Sequence, residues 1–174
     1  MLASRQGGPV IMSKSPFNYE RRIMEIRFVA DCMLGKLAKW LRVLGYDTHY
    51  QRYYRPGDID QLVKKGRRLL SRHKRITDHY INAVLIHANG VGSQIAELKE
   101  VSCLEPDQSN LFSRCLICNV LLTEAQEDAA RENVPEHVFY ENMTGIRFCP
   151  SCGRYYWPGT HRTRMLKQLK EWGF

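Results

Sequence analysis

The sequence predicts an α/β domain built on a parallel sheet, followed by a small segment folded around zinc. Three observations predict it. From residue 26 to residue 50 an apolar run ends on Asp31, a helical stripe follows, Gly45 stops it, and a second extended run begins. That is a βαβ unit, and such units place ligands at the carboxyl ends of their strands. Further extended runs follow at 67–71, after a short helical stretch, and at 83–87, before another, the alternation that a parallel sheet needs. Near the C-terminus two Cys-x-x-Cys pairs share one spacing, Cys115-Leu-Ile-Cys118 and Cys149-Pro-Ser-Cys152.

Taken in order, the first 23 residues are rich in Ser, Gly, Pro, Gln and Asn and read as a disordered tail. Their longest apolar run, at 9–12, is too short for a signal-peptide core. Met24 stands just before the first strand, so the tail reads as an upstream extension of the frame. Residues 24–108 form the expected α/β domain. In its first helix Leu34, Leu37, Ala38, Leu41 and Leu44 recur at spacings of three and four, which makes one apolar face. Lys36, Lys39 and Arg42 read as lying off that face, available to phosphate. A turn rich in Arg and Tyr occupies 51–57, where rings beside arginines suit base stacking. A short helix is expected over 58–65, with Asp58 as a candidate cap and Gly66 as its stop. Arg72, His73, Lys74 and Arg75 then follow the third strand, and 76–80 reads as a connector. The run at 83–87 reads as a strand covered on both faces. A helix at 93–101 turns Ile95 and Leu98 inward.

Residues 105–110 read as a polar linker, and 109–174 as the zinc segment. There the sequence predicts a polar helix at 123–131, a strand at 137–140, a hairpin arm at 153–159 and a basic helix at 161–172. The last helix carries Arg162, Arg164, Lys167 and Lys170. Four thiolates close a tetrahedral shell around structural Zn²⁺ and leave no open position for catalysis. Gly153, after the second pair, suits the left-handed residue that such a turn needs. Disulfides are the competing reading, and the absence of an export signal disfavours them and points to the cytoplasm. Cys32 and Cys103 read as small buried residues.

With 26 basic against 18 acidic residues the formal net charge is +8, which favours polyanions such as nucleic acid. No apolar run is long enough to span a membrane. Hydrolysis of a phosphodiester with Mg²⁺ or Mn²⁺ requires carboxylates converging from several strand ends. Asp31 stands at the first strand end, and Asp58 or Asp60 offers a second acid. After the third strand comes Arg72-His-Lys74, with no carboxylate until Asp78. His73 is a candidate metal ligand or general base, and His161 a candidate phosphate contact.

These motifs resemble the family of Mut7-C RNase domain proteins, PIN-like nucleases with a C-terminal zinc ribbon. The resemblance runs from about residue 26 to residue 161. It rests on Phe28-Val-Ala-Asp-Cys-Met-Leu-Gly-Lys-Leu-Ala-Lys-Trp-Leu-Arg-Val-Leu-Gly-Tyr-Asp47, on Ser113-Arg-Cys-Leu-Ile-Cys-Asn119 and on Phe148-Cys-Pro-Ser-Cys-Gly-Arg-Tyr-Tyr-Trp-Pro-Gly-Thr-His161. It implies a PIN-like three-layer core with a central parallel sheet, and metal-dependent cleavage of RNA at an acidic cluster that includes Asp31. The family's third strand ends Leu-Thr-Arg-Asp, where this chain has Leu70-Ser-Arg-His73. The expectation is therefore a Mg²⁺- or Mn²⁺-dependent ribonuclease, with Asp31, Asp58, Asp60, His73 and Asp78 as its candidate site. The competing expectation is a catalytically weakened RNA- or ribosome-binding module on the same fold.

Overall fold

The computed structural model describes residues 26–102 and 104–174, so the expectations for the tail and for Cys103 lie outside the described residues. The first half runs β1 (Phe28–Ala30), a 3₁₀ turn (Cys32–Leu34), α1 (Gly35–Val43), β2 (Thr48–Tyr50), α2 (Asp58–Lys64), β3 (Arg68–Ser71), α3 (Lys74–Thr77), β4 (Val84–Leu85) and α4 (Val91–Ser102). The four strands pair in parallel in the order β2-β1-β3-β4. The chain winds outward from β1 in one direction to β2 and in the other to β3. The carboxyl ends of β1 and β3 therefore flank the point where the winding reverses, and in open α/β sheets ligands bind in that crevice.

Every residue of β1 is buried. Phe28 and Ala30 share the main core with Leu70, with the stripe Leu34, Leu37, Ala38 and Leu41, and with Ile95 and Leu98 of α4. Because strand side chains alternate, Val29 and Leu69, equally buried, point to the other face. α2 packs on β1 and β3. Gly45 ends the first helix at φ 93°, and a Cβ there would come within 2.7 Å of the Asn110 carbonyl oxygen. Only glycine meets both demands.

The second half contains β5 (Thr123–Glu124), α5 (Glu127–Asn133), α6 (Glu136–Glu141), β6 (Arg147–Phe148), β7 (Tyr155–Tyr156) and α7 (Thr160–Glu171). Its strands form an antiparallel sheet in the order β5-β6-β7. Met165 and Leu169 of α7 join the main core, so the chain's last helix packs with the parallel-sheet half. A satellite core holds Ala130, Val134, Val138, Phe139 and Ile146.

Several expectations are corrected. The helix expected over 123–131 opens as a strand and starts at Glu127. The strand expected over 137–140 is helix α6. A short run of Val, Phe and Tyr reads as a strand, yet Val138 and Phe139 of α6 pack with Ala130 of α5 and with Val134 of the extended link between the two helices. The connector at 76–80 overlaps α3, whose Thr77 hydroxyl donates back to the Lys74 carbonyl. Cys32 is exposed in the 3₁₀ turn rather than buried.

Candidate zinc centre and strand-end site

The thiols of Cys115, Cys118, Cys149 and Cys152 lie within 4.8 Å of one another. Sulfur pairs stand 3.3 Å (Cys118–Cys149) and 3.6 Å (Cys115–Cys152) apart. A tetrahedral shell with bonds of roughly 2.3 Å sets its sulfurs about 3.8 Å apart, so the donor set fits Zn²⁺. The two knuckles are built alike. Cys115 N donates to Val120 O, and Asn119 N to Cys115 O. In the second knuckle Cys149 N donates to Arg154 O, and Gly153 N to Cys149 O. Asn119 (φ 70°) and Gly153 (φ 71°) both hold the left-handed conformation. Asn is among the non-glycine residues that best tolerate it. The role of Asn119 escaped the sequence reading, although it occupies the position that Gly153 occupies in the second pair.

Burial raises Cys115, but the N–H groups of Cys118 and Ile117 and the Tyr156 hydroxyl outweigh it and bring the thiol down to about 6. Burial pushes Cys149 up to about 12. In a shared pocket the first thiolate holds its neighbours protonated, and a divalent cation lets all four ionise.

The first knuckle is tied to the parallel sheet. Arg42 is 4% exposed. Its Nε donates to the Thr48 carbonyl at 3.0 Å, and its Nη1 donates to the Leu116 and Ile117 carbonyls at 2.9 and 2.8 Å. The expectation that Arg42 offers its charge to RNA is corrected: these donors hold the Cys115–Cys118 turn. Asn119 Oδ1 accepts from Thr48 N, and Asn119 Nδ2 donates to Asp47. Arg67 grips the same Asp47 carboxylate with two bonds. Burial works against the charge of Asp47, but these bonds hold its carboxyl below the usual carboxylate range. Arg114 donates to the Gly45 and Asn119 carbonyls and closes the joint.

At the other candidate site Asp31 sits where β1 ends, 3% exposed. Its Oδ1 accepts from Met33 N at 2.9 Å and so caps the 3₁₀ turn. Its Oδ2 accepts from the Ser71 hydroxyl at 2.5 Å and from Arg72 N at 3.0 Å. Asp31 therefore bridges the ends of β1 and β3 at the crevice, and Ser71 is the partner that the sequence reading missed. Two of the remaining acids are engaged elsewhere. Asp58 Oδ2 accepts from Arg55 N. Asp60 Oδ1 accepts from the Tyr80 hydroxyl, which raises that phenol to about 12. Asp78 is exposed at the C-cap of α3, and His73, also exposed, is the N-cap of the same helix without a side-chain capping bond.

Among the described residues only the four cysteines form a group of three or more ligands able to hold a metal. The structure does not gather Asp31, Asp58, Asp60, His73 and Asp78 into a multi-carboxylate centre, so the donor set does not fit the Mg²⁺ or Mn²⁺ site that the resemblance implies. Other candidates lie on the surface. Lys36, Lys39, Lys74, His161 and Arg164 are exposed. Arg72 reaches Asn89 Oδ1 at 2.6 Å. In the 51–57 turn Tyr54 donates to the Ala30 carbonyl and is structural, while Tyr53 is open to solvent. No described helix is long and apolar enough to cross a membrane.

Comparison with known proteins finds no curated protein and no solved structure that matches. A family model described as the Mut7-C RNAse domain matches residues 26–169, which takes in the Asp31 strand end, both zinc knuckles and most of α7. That description carries a ribonuclease-type function with RNA as the substrate, and on this match the chain belongs to the Mut7-C RNAse domain family.

Proposed function

We propose that the protein acts on RNA through the sheet edge at Asp31, as a PIN-like member of its family that engages the phosphodiester backbone and hydrolyses it slowly at most. One observation carries this reading: the Asp31 carboxylate is taken up by Met33, Ser71 and Arg72, and no three-ligand group forms around it among the described residues. The strand order supports the PIN-like assignment, because it sets Asp31 and the β3 end side by side at the switch point. Basic side chains crowd that edge: Arg72, Lys74 and Arg75 follow β3, and Lys36 opens α1. Phosphates bind such a surface with release of counterions. The zinc knuckles hold β2 in place, and a reduced tetrathiol site suits the cytoplasm.

A second reading, retained Mg²⁺- or Mn²⁺-dependent hydrolysis, is favoured by the family match itself. An ionised carboxylate has about four acceptor sites, of which three are used here, so one remains for a cation that RNA phosphates would help to hold. The two readings differ in what His73→Asp does. Exposed and without a side-chain bond, position 73 accepts the acid without strain, and the new carboxylate would also cap α3. Labelled single-stranded RNA is incubated with wild type, His73→Asp and Asp31→Asn in each metal, beside a salt titration of binding. Salt-sensitive binding with little cleavage by wild type, and new metal-dependent cleavage by His73→Asp, is the expected result. Brisk wild-type cleavage abolished in a folded Asp31→Asn chain would replace it with the second reading. Binding indifferent to salt would defeat both.

A further inference from the structure

We infer that the cavity between the second zinc knuckle and the start of α7 is a subsite for one unstacked nucleotide of single-stranded RNA; this rests on the RNA reading above and supplies the form of RNA it engages. The cavity measures about 470 Å³, within the range of small-ligand sites. Its walls combine two chemistries. Phe112, Tyr155, Tyr156 and Trp157 give ring faces, and Arg114, Arg147, His161 and Arg162 give cationic groups. No Asp or Glu is among its described lining residues. Rings with cations and no acid select an aromatic anion, and a nucleotide is the one that RNA supplies.

Three details show a built site. Arg162 is held with its guanidinium over the Phe112 ring, 5.0 Å from the centroid. The Nε of the same Arg162 is buried without a hydrogen-bond acceptor. A buried donor left unpaired is costly; no acceptor among the described residues holds this group, and its position is set by packing on the ring. Phe112 itself has φ 59°, a conformation that bulky residues avoid, and its N–H is pinned to the Val43 carbonyl. Its backbone is thus anchored to the end of α1. Also in the lining, Trp157 lies close to Gly159, where a Cβ would come 3.2 Å from the indole Nε1. Gly159 is the N-cap of the twelve-residue α7 and brings no side-chain cap, so the first-turn N–H groups at the wall add to the attraction for a phosphate.

Stacking on a ring reads no sequence, so a short oligoadenylate serves as the probe. Its affinity for the zinc-loaded chain is measured by fluorescence anisotropy, beside an otherwise identical oligomer carrying abasic positions. Trp157→Ala is expected to weaken the intact oligomer by about 5- to 100-fold and to leave the abasic one nearly unchanged. Trp157→Phe should recover most of the loss, and Arg162→Gln should weaken both oligomers. A variant that merely loosened the fold would weaken intact and abasic RNA alike, and that result overturns the inference. So does a folded, zinc-loaded Trp157→Ala chain that binds oligoadenylate as wild type does, which leaves the RNA reading standing. If Trp157→Ala does not fold, Arg162→Gln with wild-type affinity for both oligomers overturns it. Wild type that fails to bind either oligomer at low salt brings down the subsite and the RNA reading together.

Discussion

Replacing Arg42 by Met should uncouple the first zinc knuckle from the sheet, at a cost that can be worked from three hydrogen bonds. The bond to Thr48 O is buried, and a bond from a charged donor contributes about 1.5–3 kcal/mol. The bonds to Leu116 O and Ile117 O lie nearer the surface, where water can take over, and are worth about 1 kcal/mol each. Against this gross loss of about 3.5–5 kcal/mol stands the relief of leaving a guanidinium in water, since burial already lowers the Arg42 pKa. Met fills much of the same volume, so the net destabilisation should be about 2–4 kcal/mol. It should appear as a lower urea midpoint with the slope unchanged. Because the same carbonyls shape the Cys115–Cys118 turn, zinc affinity in chelator competition should fall at least tenfold, the equivalent of about 1.4 kcal/mol. Zinc affinity unchanged within twofold, with stability within 0.5 kcal/mol of wild type, would refute the claim that knuckle and sheet form one cooperative unit.

Three other outcomes follow from the same joint. Asn119→Gly relieves the left-handed backbone but loses the bonds to Thr48 and Asp47, whereas Asn119→Ala loses the bonds and keeps the strain. Urea midpoints should therefore fall in the order wild type, Gly, Ala, with Ala about 1–2 kcal/mol below Gly; Ala as stable as Gly would contradict this. Asp47 has its carboxyl depressed in the folded protein, so its contribution is complete above the unfolded carboxylate value of about 3.9 and is lost as pH falls through the lower folded value. Asp47→Asn should flatten that acid limb in a pH series of melting temperatures, and an undiminished limb would assign it to other carboxylates. Chelation under reducing conditions should lower the melting temperature, and zinc release should grow as acid protonates the thiolates; a chain whose melting ignores both chelator and added zinc has no structural metal.

The legible parts of this chain are those where one local rule decides. Two Cys-x-x-Cys pairs specify a tetrathiol site at any separation, and the Leu stripe from Leu34 to Leu44 specifies a buried helix face. Gly45 was readable because an apolar helical stripe ends beside it. Arg42 was misread because its charge was weighed above its angle. It lies one turn after Ala38, at the margin of the buried stripe, and long basic side chains are buried where backbone carbonyls can receive them. Helix α6 was misread because its apolar run is too short for either period to win, and its partners in α5 lie across Pro135. The scatter of the acids was beyond any sequence rule. Whether Asp60 meets Asp31 or Tyr80 depends on how α2 packs on the sheet, which is a tertiary fact.

Electrostatics gives the reason for preferring phosphate to a metal ion at the Asp31 edge. A carboxylate about 4 Å from a divalent cation contributes about 8 kcal/mol of gross attraction at an effective dielectric of ~20, and losing one of several therefore weakens a site severely. Here the chain has His73 where the resemblance implies an Asp, and Arg72, Lys74 and Arg75 flank it, against the one buried carboxyl group of Asp31. That balance repels a cation and draws an anion. The geometry agrees, because Asp31 commits three of its about four acceptor sites to the N–H groups of Met33 and Arg72 and to the Ser71 hydroxyl, which locks the strand ends together. A carboxylate used in this way is worth more to the fold than to a metal. On the proposed reading the same acid persists in the crevice as a tie between the strand ends, while the basic rim around it engages RNA phosphates.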